Sequence, residues 1–129
     1  MSKEVWFIDT TVRDGEQSLW AGNMRTGMML AIMPYLDQAG FESMEFFAPS
    51  LRMKKMAQHL GEDAFQWLKL GTAAAKNTPL RQHGGLGTGG FVRAPHCVSR
   101  LLVEMVASHG IQLARQSGAW HCFHFRDDL

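Results

Sequence analysis

A cluster of charged side chains follows the first apolar run of the chain. The segment FIDTTVRDGEQS, residues 7–18, starts as an apolar strand and ends with Arg13, Asp14 and Glu16 around Gly15. A carboxylate is a hard oxygen ligand for a divalent cation, and a guanidinium offers fixed donors to a developing oxyanion. The cluster therefore has the groups that hold a metal and stabilise an enolate. A solvated cluster of surface ion pairs is the alternative interpretation.

A further acidic residue, Glu45, falls in the next strand-like segment, at residues 43–47. Loops that follow parallel strands collect at one face of the sheet, where α/β proteins place their chemistry. We therefore expect Glu45 to lie close to Arg13 and Asp14. The alternative is a partly buried acid that pairs locally.

Strand-like runs and helical stripes alternate along the chain. Helical spacing of apolar residues follows each of the first three runs, and Gly40, Gly61 and Gly110 are expected to end helices. Pro34 is expected to kink or shorten the first helix, because its ring removes a backbone donor. The rhythm predicts an α/β fold of four βα units around a parallel sheet. The predicted strands cover residues 5–8, 43–47, 80–82 and 112–115.

The composition limits the classes of function. With 129 residues, 46% of them hydrophobic, the chain is expected to form a single domain over residues 1–129. The net charge of +1 comes from scattered residues, so we expect a small-molecule partner rather than nucleic acid or a membrane. Two cysteines, Cys97 and Cys122, and the lack of a leader or a membrane-length apolar run predict a reduced, cytoplasmic protein.

Two segments carry a family resemblance. DTTVRDGEQSLWAGNMRT, residues 9–26, resembles the first-strand signature D-x-T-x-R-D-G-x-Q of the pyruvate carboxyltransferase and 3-hydroxy-3-methylglutaryl-CoA lyase superfamily of metal-dependent TIM barrels. LDQAGFESMEFFAPS, residues 36–50, is similar to the passage from helix one to strand two. The spelling SLWAGNMRT favours the carboxyltransferase and oxaloacetate decarboxylase branch, whereas RDGEQ is common in the acyl-CoA lyase and synthase branches.

The resemblance implies a function and roles for four residues. Asp14 matches the ligand of a divalent metal (Mg, Mn or Zn), and Arg13 matches the arginine that steadies the enolate oxygen. Gln17 matches a residue near the substrate, although it can equally cap a loop, and Glu45 supports the arginine and the metal shell. The implied reaction is carboxyl transfer or decarboxylation of a 2-oxoacid such as pyruvate or oxaloacetate, with a biotin carrier as a partner.

The length of the chain departs from the family. A complete TIM barrel takes about 250 residues, so the four βα units correspond to the N-terminal half. The family's metal-binding histidines and a lysine would lie beyond Leu129. The alternative function is therefore a truncated half-barrel without independent catalysis, acting as an assembly module or surviving as a relic.

An open half-barrel leaves its first and fourth strands with free edges. We expect Val5, Phe7, Met44 and Phe46 to be only partly covered. A homodimer or a complementary half-barrel would close the barrel and cover them. The alternative is a monomer whose edge is covered by its own tail, residues 120–125.

The remaining motifs point to no second site. The glycine-rich stretch at residues 84–90 is expected to be a flexible loop rather than a dinucleotide-binding turn, with Arg81 or Arg93 able to contact an anionic substrate. The tail residues His121, Cys122 and His124 are possible metal ligands, but an aromatic-anchored terminal segment is the preferred interpretation. The other histidines are scattered, with no spacing that predicts a site: His59, His83, His96 and His109.

Overall fold

The computed structural model describes residues 4–84, 95–111 and 113–115. Most of the glycine-rich loop, including Arg93, and the tail that contains His121, Cys122 and His124 lie outside the described residues. The predictions made for these segments stay predictions.

The described strands form one parallel sheet, as the sequence predicted. Each strand lies beside the next one in the chain, in the order β1, β2, β3 and β4. This order confirms the α/β class and the succession of βα units, and it brings the carboxyl ends of all the strands to one edge. The strands are β1 Ile8–Asp9, β2 Ser43–Phe47, β3 Leu80–His83 and β4 Leu113–Arg115.

Helices connect the strands and pack on one face of the sheet. The described helices are α1 Glu16–Trp20, α2 Thr26–Asp37, α3 Pro49–Lys55, α4 Ala64–Ala74 and α5 His96–Ser108. One π-helical turn, Thr11–Gly15, precedes α1, and another, Met56–Leu60, follows α3. No described helix is both long and apolar enough to cross a membrane.

Local sequence signals were mostly right about where helices end. Gly40, Gly61 and Gly110 all have positive φ, the conformation that glycine adopts without strain at a helix end. Pro34 neither breaks nor ends α2, which continues to Asp37.

The helix-facing side of β2 is more deeply buried than the sequence predicted. Met44 and Phe46 are fully buried rather than partly covered. The Phe46 ring stacks on Trp67 of α4 with centroids 5.6 Å apart, and a Cβ atom on Gly71 would lie 1.9 Å from its Cζ atom. This close contact requires glycine at position 71. Alternation along the strand then directs Glu45 to the opposite face of the sheet.

The first strand is shorter than predicted. Only Ile8 and Asp9 pair with β2, whereas Val5, Trp6 and Phe7 precede the strand and are exposed. In the described residues β1 pairs with one neighbour, β2, so one of its edges is open. The exposure expected for Val5 and Phe7 is confirmed.

Asp37, the last residue of α2, ties that helix to the connection between α4 and β3. Its carboxylate accepts the backbone N–H groups of Lys76, Asn77 and Thr78 at 2.8–3.2 Å, and the Asn77 side-chain amide at 2.9 Å. Burial alone would raise the pKa of Asp37, but these hydrogen bonds together hold it below its usual value. The ionised carboxylate therefore contributes to stability.

We expect Asp37→Asn to lower the free energy of unfolding by about 2 kcal/mol at pH 7, because hydrogen bonds to a charged acceptor are lost. The folded-state pKa is depressed, so this contribution is fully present above the unfolded-state pKa of about 3.9 and is lost as the pH falls through the folded-state value. Urea denaturation at several pH values measures it. The exposed Glu104→Gln serves as control, and an Asp37→Asn deficit that does not shrink on acidification would contradict the prediction.

Candidate active site

The turn after β1 presents two of the predicted site residues. The carbonyl oxygen of Thr10 accepts hydrogen bonds from the backbone N–H groups of Arg13, Asp14 and Gly15, at 3.2, 2.8 and 3.0 Å. Three donors on one oxygen wind the chain into a wide π-helical turn, a feature common at functional sites. The turn places the side chains of Arg13 and Asp14 at the carboxyl edge of the sheet.

The same turn is fixed at its start and at its base. Asp9 is buried, and its carboxylate accepts the Thr11 backbone N–H at 3.1 Å and the Thr11 hydroxyl at 2.6 Å. Val12 is 1% exposed and belongs to the hydrophobic core. The backbone that carries Arg13 is therefore held by polar contacts before it and by packing beneath it.

Arg13 and Glu45, which the sequence analysis expected to lie close together, form a buried ion pair. Arg13 Nε donates to Glu45 Oε2 at 2.8 Å, and its NH2 group also contacts Oε2. Only 11% of the Arg13 side chain and 2% of the Glu45 side chain are exposed. Charged hydrogen bonds are stronger in such a low-dielectric setting, so the guanidinium is held in a fixed orientation.

Asp14 completes the predicted cluster from the solvent side. Its Oδ1 atom accepts a hydrogen bond from Arg13 NH1 at 2.9 Å, while 52% of its side chain is exposed. The contacts to Glu45 and Asp14 use three of the five N–H donors of Arg13, and in the described part of the chain the other two are available to an anionic oxygen. Gln17 lies on α1 and is exposed.

His83 is the residue of this site that the sequence analysis missed. It ends β3, and its Nδ1 atom lies 3.4 Å from Glu45 Oε1. The sequence did predict the strand before His83. A residue at the end of one parallel strand lies beside the polar residues at the end of its neighbour, and this could have suggested His83. Without the register between β2 and β3, the sequence did not show which residue of β3 shares a face with Glu45.

Arg81 adds a second cation to the same face. Its Cα is the register partner of Glu45, and two-residue alternation along β3 places Arg81 and His83 on one side. Arg81 Nε is buried and has no hydrogen-bond partner among the described residues. A buried donor without a partner is costly unless a ligand or water completes it.

Glu16, the third charged residue of the opening cluster, does not join the site. It is buried and accepts a hydrogen bond from Arg52 NH1 at 2.9 Å. Arg52 also donates to the Met24 carbonyl at 2.6 Å and lies over the Trp67 ring, 3.7 Å from its centroid. Burial raises the pKa of Glu16 even though Arg52 beside it acts in the opposite direction. The pair joins α1 to α3.

The predicted metal site is incomplete in the described part of the chain. Residues 4–84, 95–111 and 113–115 contain no group of three His, Cys, Asp or Glu side chains arranged to hold a metal ion. Asp14 offers one exposed carboxylate, which Arg13 already contacts. This donor set does not fit a divalent metal by itself.

Comparison with known proteins finds relatives among the subunits of pyruvate carboxylase. No family model matches the chain. It is 33% identical over 112 residues to a subunit of the pyruvate carboxylase of Methanocaldococcus jannaschii, a match covering 86% of this chain and 20% of the relative. The corresponding pyruvate carboxylase subunit of Methanothermobacter thermautotrophicus is 27% identical over 114 residues, covering 88% of this chain and 20% of the relative.

Solved structures similar to the chain include carboxyl transferase domains of pyruvate carboxylase. The carboxyl transferase domain of Rhizobium etli pyruvate carboxylase with 3-hydroxypyruvate superimposes with a TM-score of 0.79 at 31% identity, covering 88% of this chain and 20% of that one. The domain has also been solved with pyruvate, with oxalate, and with pyruvate and biocytin. The chain spans about a fifth of the length of these relatives.

Proposed function

Because the chain is a homologue of the carboxyltransferase domain of pyruvate carboxylase, a TIM barrel, and corresponds to a fragment of it, we propose that it stabilises the enolate of a 2-oxoacid such as pyruvate or oxaloacetate. The observation that carries the proposal is the buried Arg13–Glu45 pair at the carboxyl edge of the sheet. The names of the relatives favour carboxyl transfer or decarboxylation over the acyl-CoA lyase and synthase branches.

Arg13 has the central role in the proposed reaction. When the carbon–carbon bond of oxaloacetate breaks, carbon dioxide leaves and the bonding electron pair becomes the enolate of pyruvate. The two N–H donors of Arg13 that neither carboxylate uses are available to the enolate oxygen. Glu45 keeps the guanidinium in place before charge develops, which is the preorganisation that makes such donors effective.

Two neighbouring residues are suited to bind the substrate. The buried Nε of Arg81 has no hydrogen-bond partner among residues 4–84, 95–111 and 113–115, which supports a contact with the substrate carboxylate, because a guanidinium holds a carboxylate with paired hydrogen bonds. Gln17 is an exposed residue of α1, and we place it near the substrate by family resemblance.

A divalent metal and a biotin carrier are the further partners that we propose. Asp14 would supply one ligand of a Mg, Mn or Zn ion, and the other ligands would come from outside the described residues. A bound metal of this kind polarises a carbonyl oxygen. Biocytin in the Rhizobium etli structure supports a biotin carrier as carboxyl donor. Calorimetric titration with Mn²⁺ tests whether Asp14 is a metal ligand. Asp14→Ala should abolish any Mn²⁺ binding that the wild type shows.

The function is tested by the exchange of pyruvate methyl protons in D₂O, followed by NMR. Enolate formation releases a methyl proton, and its reversal takes up deuterium, so exchange needs no carboxyl donor. We expect the full chain to accelerate loss of the methyl signal. Exchange at the uncatalysed rate, with and without Mn²⁺, would favour the half-barrel without independent catalysis.

A homodimer is the second proposal, and the open edge of β1 supports it. Val5, Trp6 and Phe7 are between 66% and 69% exposed. Beside them Leu19 and Trp20 line a cavity of about 410 Å³. Pairing of β4 in one copy with β1 in the other would close an eight-stranded barrel and cover this edge. Analytical ultracentrifugation at micromolar concentration measures the mass of the particle. A mass of one chain would exclude the homodimer.

A further inference from the structure

Glu45 holds two different side chains with its two oxygens. Oε2 accepts the hydrogen bonds of Arg13, and Oε1 lies 3.4 Å from His83 Nδ1. The carboxylate is 2% exposed, and the imidazole is 24% exposed. The buried acid therefore joins the arginine to a histidine that solvent can reach.

This contact orients the imidazole. A carboxylate accepts hydrogen bonds, so Nδ1 carries the hydrogen that points to Glu45. In a neutral ring the other nitrogen, Nε2, then has a free lone pair and can accept a proton. Carboxylate contacts of this kind fix the tautomer and the ring orientation of histidine in many sites.

The other charged groups described around the site are less suited to proton transfer. The guanidiniums of Arg13 and Arg81 have only hydrogen-bond donors and no acceptor. Glu45 already accepts the hydrogen bonds of Arg13, and Asp14 contacts Arg13 from the solvent side. Gln82, next to His83, is buried and donates to the Gly84 carbonyl oxygen. Among the described residues of this cluster, His83 has the chemistry that suits proton transfer.

We propose that His83 is the proton-transfer residue of the site, acting through Nε2 on the methyl carbon of the 2-oxoacid while Glu45 holds Nδ1. The inference rests on the proposed function. In exchange, Nε2 takes a proton from pyruvate C3, and the electron pair of the C–H bond becomes the enolate held by Arg13. In decarboxylation the enolate carbon takes the proton of Nε2, and the ring regains one from solvent.

The test uses methyl exchange of pyruvate in D₂O by three variants of the full chain. His83→Ala removes the imidazole and should slow exchange by at least about 100-fold, as expected for loss of a general acid–base group. Added imidazole should restore a part of the rate. His83→Asn keeps a donor for Glu45 but has no basic nitrogen that can take a proton from carbon, and it should stay folded and slow. His59→Ala, at an exposed histidine, is the matched control and should exchange like the wild type.

The outcomes separate this inference from the proposed function. Wild-type exchange together with unimpaired exchange in His83→Asn would overturn the role of His83 and leave the enolate site standing. A slow His83→Ala that imidazole does not rescue would make His83 structural and would also overturn it. No exchange by the wild type overturns both proposals. Calorimetric titration with pyruvate should show similar affinity for His83→Asn and wild type, because the residue acts on the reacting carbon.

Discussion

Arg13→Lys is expected to slow pyruvate methyl exchange by at least about 100-fold, the loss typical of an oxyanion donor, with a modest change in KM. Lysine keeps the positive charge beside Glu45 but lacks the planar fork of donors. It cannot hold Glu45, contact Asp14 and still present two hydrogen bonds to an enolate oxygen. Rates over a range of pyruvate concentrations separate the effect on turnover from the effect on binding.

Arg100→Lys is the control for Arg13→Lys, because Arg100 is an exposed arginine on α5 that pairs with Glu104. We expect its exchange rate to equal that of the wild type. Since charge is retained in both variants, neither should unfold. Equal exchange by Arg13→Lys and wild type would mean that Arg13 has a structural role only.

Arg52→Met is expected to lower the free energy of unfolding by about 3–5 kcal/mol, because it leaves the carboxylate of Glu16 buried without its counter-charge. The substitution also removes the hydrogen bond to the Met24 carbonyl and uncovers the Trp67 ring. Urea denaturation measures the loss. It should shrink as the pH falls through the raised pKa of Glu16, because a protonated carboxyl needs no counter-charge.

Two further variants isolate the ion pair. Arg100→Met is the same change at an exposed site and should alter stability by less than about 0.5 kcal/mol. Adding Glu16→Gln to Arg52→Met should recover a part of the loss, because the unpaired charge is removed. If Arg52→Met were no less stable than Arg100→Met, the buried pair would not hold α1 and α3 together.

The rhythm of the sequence predicted the parallel sheet, and from it the expectation that Glu45 lies close to Arg13. Both depend on strand order, and adjacent βα units follow one another around a sheet. The burial of Met44 and Phe46 was predicted wrongly, because a short apolar run does not show which face packs against a helix. That face is set by Gly71, which lies 25 positions after Phe46 and allows the ring to reach the α4 backbone.

The positions of Glu16 and His83 could not be predicted from the sequence. Glu16 stands in the same short charged cluster as Arg13, but its partner Arg52 is 36 positions away and draws it into the core. His83 contacts Glu45 across 38 positions, and only the register of β2 and β3 brings them together. Local spacing shows which residues can do chemistry, whereas long-range pairing decides which of them meet.

The most direct test of the enolate site is a calorimetric comparison of oxalate with pyruvate. Oxalate is planar and carries its negative charge where the enolate oxygen forms, and analogues of this kind bind at least about 100-fold more tightly than substrates. We predict that preference for the wild-type chain and its loss in Arg13→Lys. If the wild type bound oxalate no more tightly than pyruvate, the claim that Arg13 and Glu45 form an enolate site would be contradicted.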